Sequence, residues 1–494
     1  MIRTLRVLPI ALLATLAVAV AGCGGGTAQT SSSTESGAKL VRAGALAFVA
    51  LDSDFGSGQW QQLDDLANKF PGRDKALGRI KQELAKHGVD YEDDIKPALG
   101  PEVDFVFANG PGSPGDAVVA LTKPDDPAKI KALVAKLKAD DPSGEPAVYR
   151  ALEDGWYALS DKQTTIDRVL AASGGQSLAD DSTFKAAFAE LPGDALIKAF
   201  LDGHELNAAI EQSSERQPSA LDASTLGLDK LDYIAASATA EDDGVRIHGA
   251  SSGAVLGSGD FSSKLLDAVP GDALALLDFR GAGTTDQLEK LEANPSVAQA
   301  LRQIEAGLGV SYDDILDLLH NEVALYVRPG AGIPEVTLAL ESKDPTKALS
   351  TLDKLAARLA AATGAQLHSG TQGGHDVKTL DLGRFSIHYG NIGDTVVLTS
   401  ALNGIADYGA PGDHLPDSAD FKQAQDAAGM PDSTGGFIYL DLKNSIPLIE
   451  GLAGLAGKSP PQEVTENLRP LRSFLAWVEG SGDTRSFDAF LEIK

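Results

Sequence analysis

Apolar and polar positions follow two periods along this chain. In Pro127–Asp140, Ile130, Leu133, Val134 and Leu137 recur at helical spacing, with Lys129, Lys131, Lys136 and Lys138 on the other faces. Pro345–Thr363 repeats the pattern with Leu349, Leu352, Leu355 and Leu359. In both, a proline in the first turn, where its missing N–H costs nothing, marks the helix start. Trp60–Phe70 and Leu77–His87 read as a helix pair, matched later by Thr285–Glu292 and Val297–Leu308. Short β-branched runs read as strands: Val118–Leu121, Val245–Ile247 and Thr395–Leu398. Gly373–Ser400 reads as a three-stranded meander turning at Gly383 and Gly390–Gly393. Helices interleaved with hairpins predict an α+β fold with mostly antiparallel sheet.

The pattern recurs at long range. Pro-Gly-Asp-Ala-Leu occurs at 192–196 and again at 270–274, each time leading into an apolar run that reaches an aspartate, Asp202 or Asp278. Ala45–Asp52 and Gly436–Asp441 have the same shape, so four apolar strands close on an aspartate. Residues 88–103 match 309–323, aligning Tyr91 with Tyr312, Asp94 with Asp314, Ile95 with Ile315 and Glu102 with Glu322. Ala117–Lys129 matches Glu335–Lys347, and Thr183–Lys185 matches Asp420–Lys422. Order-preserving matches of this kind predict two tandem repeats, A over 42–256 and B over 262–494, each made of strand-helix-helix-strand-strand units.

The N-terminus carries a different signal. Arg3 and Arg6 precede an apolar run, Val7–Ala21, which is short for a bilayer span and suits a signal-peptide core. The run ends in Val20-Ala21-Gly22-Cys23, which resembles the lipobox of bacterial lipoproteins. That resemblance implies cleavage after residue 22 and a lipid on the Cys23 thiol, making 1–22 a signal peptide. Cys23 is the only cysteine, so an intramolecular disulfide is excluded. Residues 24–40 are rich in Gly, Ser and Thr without apolar period, so 23–41 reads as lipidated cysteine plus flexible tether, with a reach of roughly 20–25 Å.

Composition narrows the class of protein. The 494 residues are 43% hydrophobic and 23% charged, an ordinary globular balance that excludes wholly disordered and polytopic membrane chains. Net charge is −28, and loss of Arg3 and Arg6 with the leader takes it to −30. A nucleic-acid binder needs a basic footprint, which this chain lacks, and anionic head groups would repel its body.

The lipobox, the tether, the paired Pro-x-Asp-Ala-Leu strands and the Gly-Val-x-Tyr segments at 88 and 309 together resemble an uncharacterised bacterial lipoprotein family, domain of unknown function 3352, of a type common in actinobacteria. The resemblance covers nearly all of 42–494. It implies a cell-envelope lipoprotein and brings no activity and no catalytic residue.

Candidate chemistry is sparse. Gly249-Ala250-Ser251-Ser252-Gly253 satisfies G-x-S-x-G, but a nucleophile elbow needs a helix next, and the Gly-rich 254–259 offers none, so a junction loop is expected. His368, His375 and His388 lie close in sequence; His375 and His388 could face each other across the meander, with Asp376 as a third ligand. Metal-ligand spacing is absent, and solvated strand ends are expected. Asp-Asp pairs occur seven times without an EF-hand pattern, Asp52-Ser53-Asp54-Phe55-Gly56 coming nearest. Helix capping and solubility account for them, with a weak divalent site as the alternative; capping also accounts for Asp52, Asp202, Asp278 and Asp441, with a shared binding site as the alternative, and for Asp93, Asp94, Asp313 and Asp314 ahead of helices starting at Ile95 and Ile315. Ile446–Leu455 is unusually apolar and reads as a core helix, with a ligand groove as the alternative.

No catalytic residue, cofactor or metal ligand is assigned. The expected protein is lipid-anchored through Cys23 on the extracytoplasmic face of the cell membrane. It binds an unidentified small ligand or an envelope protein; the alternatives are an assembly scaffold and, further off, an atypical hydrolase.

Overall fold

The computed structural model describes residues 35–109, 117–140, 148–171, 175–216, 228–253, 259–282, 295–330, 332–383, 385–455, 457–480 and 483–494. Its helices and antiparallel strands give an α+β fold that divides into two compact units. Unit 1 holds the described residues through 253, with Ile493 and Lys494; unit 2 holds 259–492.

In unit 1 the strands are β1 (Ala47–Asp52), β2 (Glu102–Ala108), β3 (Ala117–Thr122), β4 (Val148–Ala151), β5 (Tyr157–Ser160), β6 (Ile197–Asp202), β7 (Tyr233–Glu241) and β8 (Gly244–Ser252). They pair antiparallel in the order β4-β5-β3-β2-β1-β6-β7-β8. In unit 2 they are β9 (Ala275–Arg280), β10 (Glu322–Arg328), β11 (Glu335–Glu341), β12 (Gln366–Gln372), β13 (His375–Asp381), β14 (Ser386–Ile392), β15 (Thr395–Thr399), β16 (Gly436–Asp441) and β17 (Leu471–Glu479). Their order is β12-β13-β14-β15-β11-β10-β9-β16-β17, again antiparallel. Each sheet thus centres on its first strand, β1 or β9, flanked by β2 and β6 or by β10 and β16. The meander carries one strand more than its sequence shows. Strand β12 is polar and exposed on both faces, so it has no apolar alternation to betray it.

Side chains alternate between the faces of a strand, so one face of each sheet carries the main core. In unit 1 it comprises Phe48, Ala50, Val106 and Phe200 with helix α4 (Ser182–Ala189), whose Phe184 and Phe188 stack at 4.2 Å and meet Phe48 edge-on. In unit 2 it comprises Leu276, Tyr326, Phe437 and Tyr439 with helix α9 (Ala419–Ala428), whose Phe421 meets Tyr439 edge-on at 5.0 Å. Helices also cover part of the second face. In unit 1 the cover includes α1 (Gly58–Ala67), α2 (Arg73–Lys86) and α3 (Pro127–Asp140), the last contributing Ile130 and Leu133; α5 (Gly203–Arg216) follows β6. In unit 2, α7 (Tyr312–Leu319) and α8 (Pro345–Thr363) pack on Val323, Leu340, Tyr389 and Val396, after α6 (Pro295–Leu308). The expected helix at Thr285–Glu292 lies outside the described residues.

The tether is shorter than its composition suggests. Ser36–Leu40 forms a short 3-10 helix in which Gly37 and Ala38 are buried, and Val41 follows them into the core. A Gly/Ser-rich run looks flexible, but Ala38 and Val41 give it enough apolar surface to dock. Unit 2 repeats the device, with Ser263 leading into the turn Leu266–Ala268 and buried Val269.

Candidate functional site

Three of the four strand-end aspartates sit where their strands hand over to helices. Asp202 accepts from Glu205 N at 3.0 Å and caps α5. Asp441 accepts from Asn444 N at 3.0 Å and caps α10 (Leu442–Leu455). Asp52 acts one step back. It takes the hydroxyl of Ser57 at 2.7 Å, and Ser57 is the cap of α1. Burial pushes Asp52 up to about 6 against the opposing pull of Ser57 and the Asp54 amide. Asp278 breaks the pattern. Strand β9 runs two residues past it, and the side chain is fully buried on the core face, so capping does not account for it. The Asp93/Asp94 and Asp313/Asp314 pairs are likewise not caps. Asp90 and Ser311 are, and the acids fill the first turns, where Asp94 meets Lys136 and Asp314 lies 3.5 Å from Lys347.

Asp278 belongs to one of two buried carboxyl pairs. In unit 2, Asp278 Oδ2 and Glu322 Oε1 both lie on the Ser263 hydroxyl, at 2.6 and 2.8 Å, and Glu322 also takes the amides of Lys264 and Leu265 at 2.8 and 2.7 Å. A serine has one proton to give, so a proton on Asp278 completes the chain Asp278–Ser263–Glu322. Burial, reinforced by the Glu322 charge, pushes Asp278 up to about 7. In unit 1 the pair is Glu102 and Asp104, two apart on β2 and therefore on one face. Glu102 takes the Gly37 amide at 3.2 Å and is bonded by Ser36. Asp104 is fully buried and receives no N–H or hydroxyl; its burial and the Glu102 charge hold its carboxyl well above the usual range, so it donates to Glu102.

The register shows how the two pairs correspond. Glu102 faces Asp52 and Glu322 faces Arg280, fixing the alignment of the central strands. Asp104 then faces Ala50 on β1, while Asp278 on β9 faces Ala324 on β10. The same Asp–Ala cross-strand cell occurs in both units with its two members exchanged between strands.

The second feature is apolar. Beyond its helical cover, the second face of the unit 2 sheet carries Leu277, Leu338, Leu398 and Leu440 half-buried. Four neighbours on that face lie open: Leu325 (37% exposed), Val336 (43%), Ile438 (40%) and Val478 (39%). Along β16 and β17 lies α10, which has no fully buried side chain among its described residues, with Ile449 62% exposed. Its apolar sequence predicts core, but it forms an open apolar flank. On unit 1 the same face carries half-buried Val49, Phe105, Phe107, Ala199, Leu201 and Ile234.

The other sequence candidates do not assemble. Ser251 lies inside β8, opposite Ile234, in a strand and not a junction loop, and 254–258 lie outside the described residues. His375 pairs with Gln372 at the Gly373–Gly374 turn, whereas the register sets His368, Thr379 and His388 in one cross-strand row, so His375 and His388 do not face each other. His388 is buried, bonds Thr379 Oγ1 at 2.8 Å, and has its basicity lowered by burial; a solvated strand end it is not. Among the described residues no group of three or more His, Cys, Asp or Glu could hold a metal ion, and no helix is long and apolar enough to cross a membrane. Cys23 lies outside the described residues.

These features define an α+β protein of two antiparallel-sheet units, each with a buried carboxyl pair and a half-open apolar sheet face. A family described as "Protein of unknown function (DUF3352)" matches residues 7–146 and 135–493, and the chain belongs to that family. No curated protein matches it. Among solved structures, crystal form IV of TP0453 is 14% identical over 45% of this chain and 77% of that one, with a TM-score of 0.24. Crystal form I of TP0453 is 12% identical over 47% and 92%, with a TM-score of 0.22. At such scores the likeness carries no argument about either chain.

Proposed function

We propose that this chain is an envelope lipoprotein, built by tandem duplication and anchored through a lipid on Cys23, that binds an apolar ligand on the second sheet face of unit 2. The carrying observation is the group Leu325, Val336, Ile438 and Val478, open to solvent on one sheet face beside the apolar helix α10. Contiguous exposed apolar surface costs free energy in water and marks sites of ligand or partner contact. The anchor supports the reading. A lipid on Cys23 would hold the chain at a bilayer, a ready source of acyl chains.

The test is extraction of the purified full-length protein with organic solvent and mass spectrometry of what is released. One recurrent lipid-sized species is expected, with its yield cut about tenfold or more by Leu325→Glu or Ile438→Glu, since a charge on an apolar contact removes well over 1.4 kcal/mol. Both side chains are partly exposed, so the thermal midpoint should move little. Clean extracts would overturn the reading. A co-purifying protein that the same substitutions release would move it to an assembly scaffold.

A further inference from the structure

We propose that Glu35–Val41 is a releasable strap, held on unit 1 by the Glu102–Asp104 carboxyl pair and freed as pH rises. The polar contacts at the head of the strap converge on that pair, and at its foot the Leu40 and Val41 carbonyls accept from the Ala171 and Leu178 amides at 2.9 and 2.8 Å. Glu102 takes the Gly37 amide and Ser36, and Asp104 packs directly beneath Gly37, where a Cβ would overlap its Oδ2. Glu35 reaches buried Lys198 at 3.8 Å. Below these, Ala38 and Val41 supply the apolar hold, and Val41 and Arg42 bridge to Leu170 and Ser177.

The charged groups around Asp104 are few. Glu102 shares its strand; Glu35 and Lys39 come from the strap; Lys198 stands on β6, beyond Ala50 in the same cross-strand row, and pairs with Glu35. From β3 and β5 the row offers Leu121 and Ala158, and Trp156 closes over Gly37. No cation among these is bonded to Asp104, so loss of the shared proton sets two carboxylates side by side in an apolar enclosure. Departure of the strap admits water to both, and that is the least costly relief, because the strap is a short 3-10 turn and not a sheet strand. The matching segment of unit 2 differs at the aspartate: Ser263 bonds Asp278 as well as Glu322, whereas Asp104 takes no bond from the strap. If the lipid stands on Cys23, release adds seven residues to the tether, about 25 Å of contour. The strap's own behaviour does not rest on that reading.

The experiment is a nitroxide at the exposed strap position, Lys39→Cys, in the full chain, with the unsubstituted chain labelled in parallel to account for Cys23. Asp267→Cys reports the unit 2 segment. The strap label should be immobile near pH 6 and gain a mobile component by about pH 9, the ratio of mobile to immobile rising up to tenfold per pH unit, as one-proton linkage requires. The Asp267→Cys label should not change. Asp104→Asn, which mimics the protonated acid, should abolish the gain. A strap label that stays immobile through pH 9, or an equal gain with Asp104→Asn, would overturn the proposal. Should Asp104→Asn fail to fold, hydrogen exchange at the Gly37 amide of the wild-type chain decides: protection should fall with pH well ahead of that in β1.

Discussion

Asp278→Asn is expected to stabilise unit 2 at pH 8 and to flatten its dependence on pH. The folded-state value of Asp278 is raised to about 7 from an ordinary 3.8, chiefly by burial. A raised carboxyl means that the folded state binds the extra proton. Its favourable contribution is complete below about 3.8 and is lost as pH rises through 7. At roughly 1.4 kcal/mol per unit, the loss over that window is on the order of 4–5 kcal/mol. Asparagine keeps the shape, cannot ionise, and still donates to Ser263, whose proton remains for Glu322. Urea midpoints at pH 5 and pH 8 measure it. Wild type should lose stability between them and the variant should not. An equal pH slope in both would show that Asp278 does not carry the proton. Asp52, raised to about 6, adds a loss of the same sign over a narrower window in unit 1.

Gly37→Ala should destabilise unit 1, and Asp104→Ala should rescue part of the loss. A Cβ on Gly37 meets Asp104 Oδ2, with Trp156 close behind, so one methyl group has nowhere to go. Overpacking of this kind costs typically 1–3 kcal/mol. Asp104→Ala removes the obstructing oxygen and a buried carboxyl together, so the double variant should be less damaged than the sum of the singles by about 1 kcal/mol or more. A double-mutant cycle on the unit 1 unfolding transition reads the coupling. Strict additivity would mean that the strap relaxes away from Asp104 at no cost.

What the sequence made legible depended on whether a residue's job leaves a local pattern. Helices α3 and α8 lie where their leucine spacing and leading prolines put them. Strands β1, β6 and β16 end on their aspartates as the recurring phrase implies. Strand β12 escaped because both of its faces are polar, and α10 misled because an apolar helix reads as core whether or not anything covers it. The strap Glu35–Val41 escaped because its hold comes from Glu102, some sixty-five residues from Gly37. Glu102 and Glu322 did align in sequence. Asp104 and Asp278 could not, since they stand on different strands, and only the β-sheet register shows that they fill one cell. The histidines illustrate the converse: His375 and His388 are neighbours in sequence whose register keeps them apart.

That exchanged Asp–Ala cell also bears on how the two units differ. One carboxyl beside the glutamate is present in each, yet no single substitution converts one arrangement into the other. Any path of single substitutions between them passes through a form with either two aspartates in the cell or none. The strands are therefore no longer spare parts for one another. Transplanting β9 in place of β1 would bring a second aspartate opposite Asp104, and the reciprocal graft would leave Ala opposite Ala324, with Glu322 alone. Chimeras of the two units should accept exchange of the β1–β2 pair as a block and reject exchange of either strand by itself.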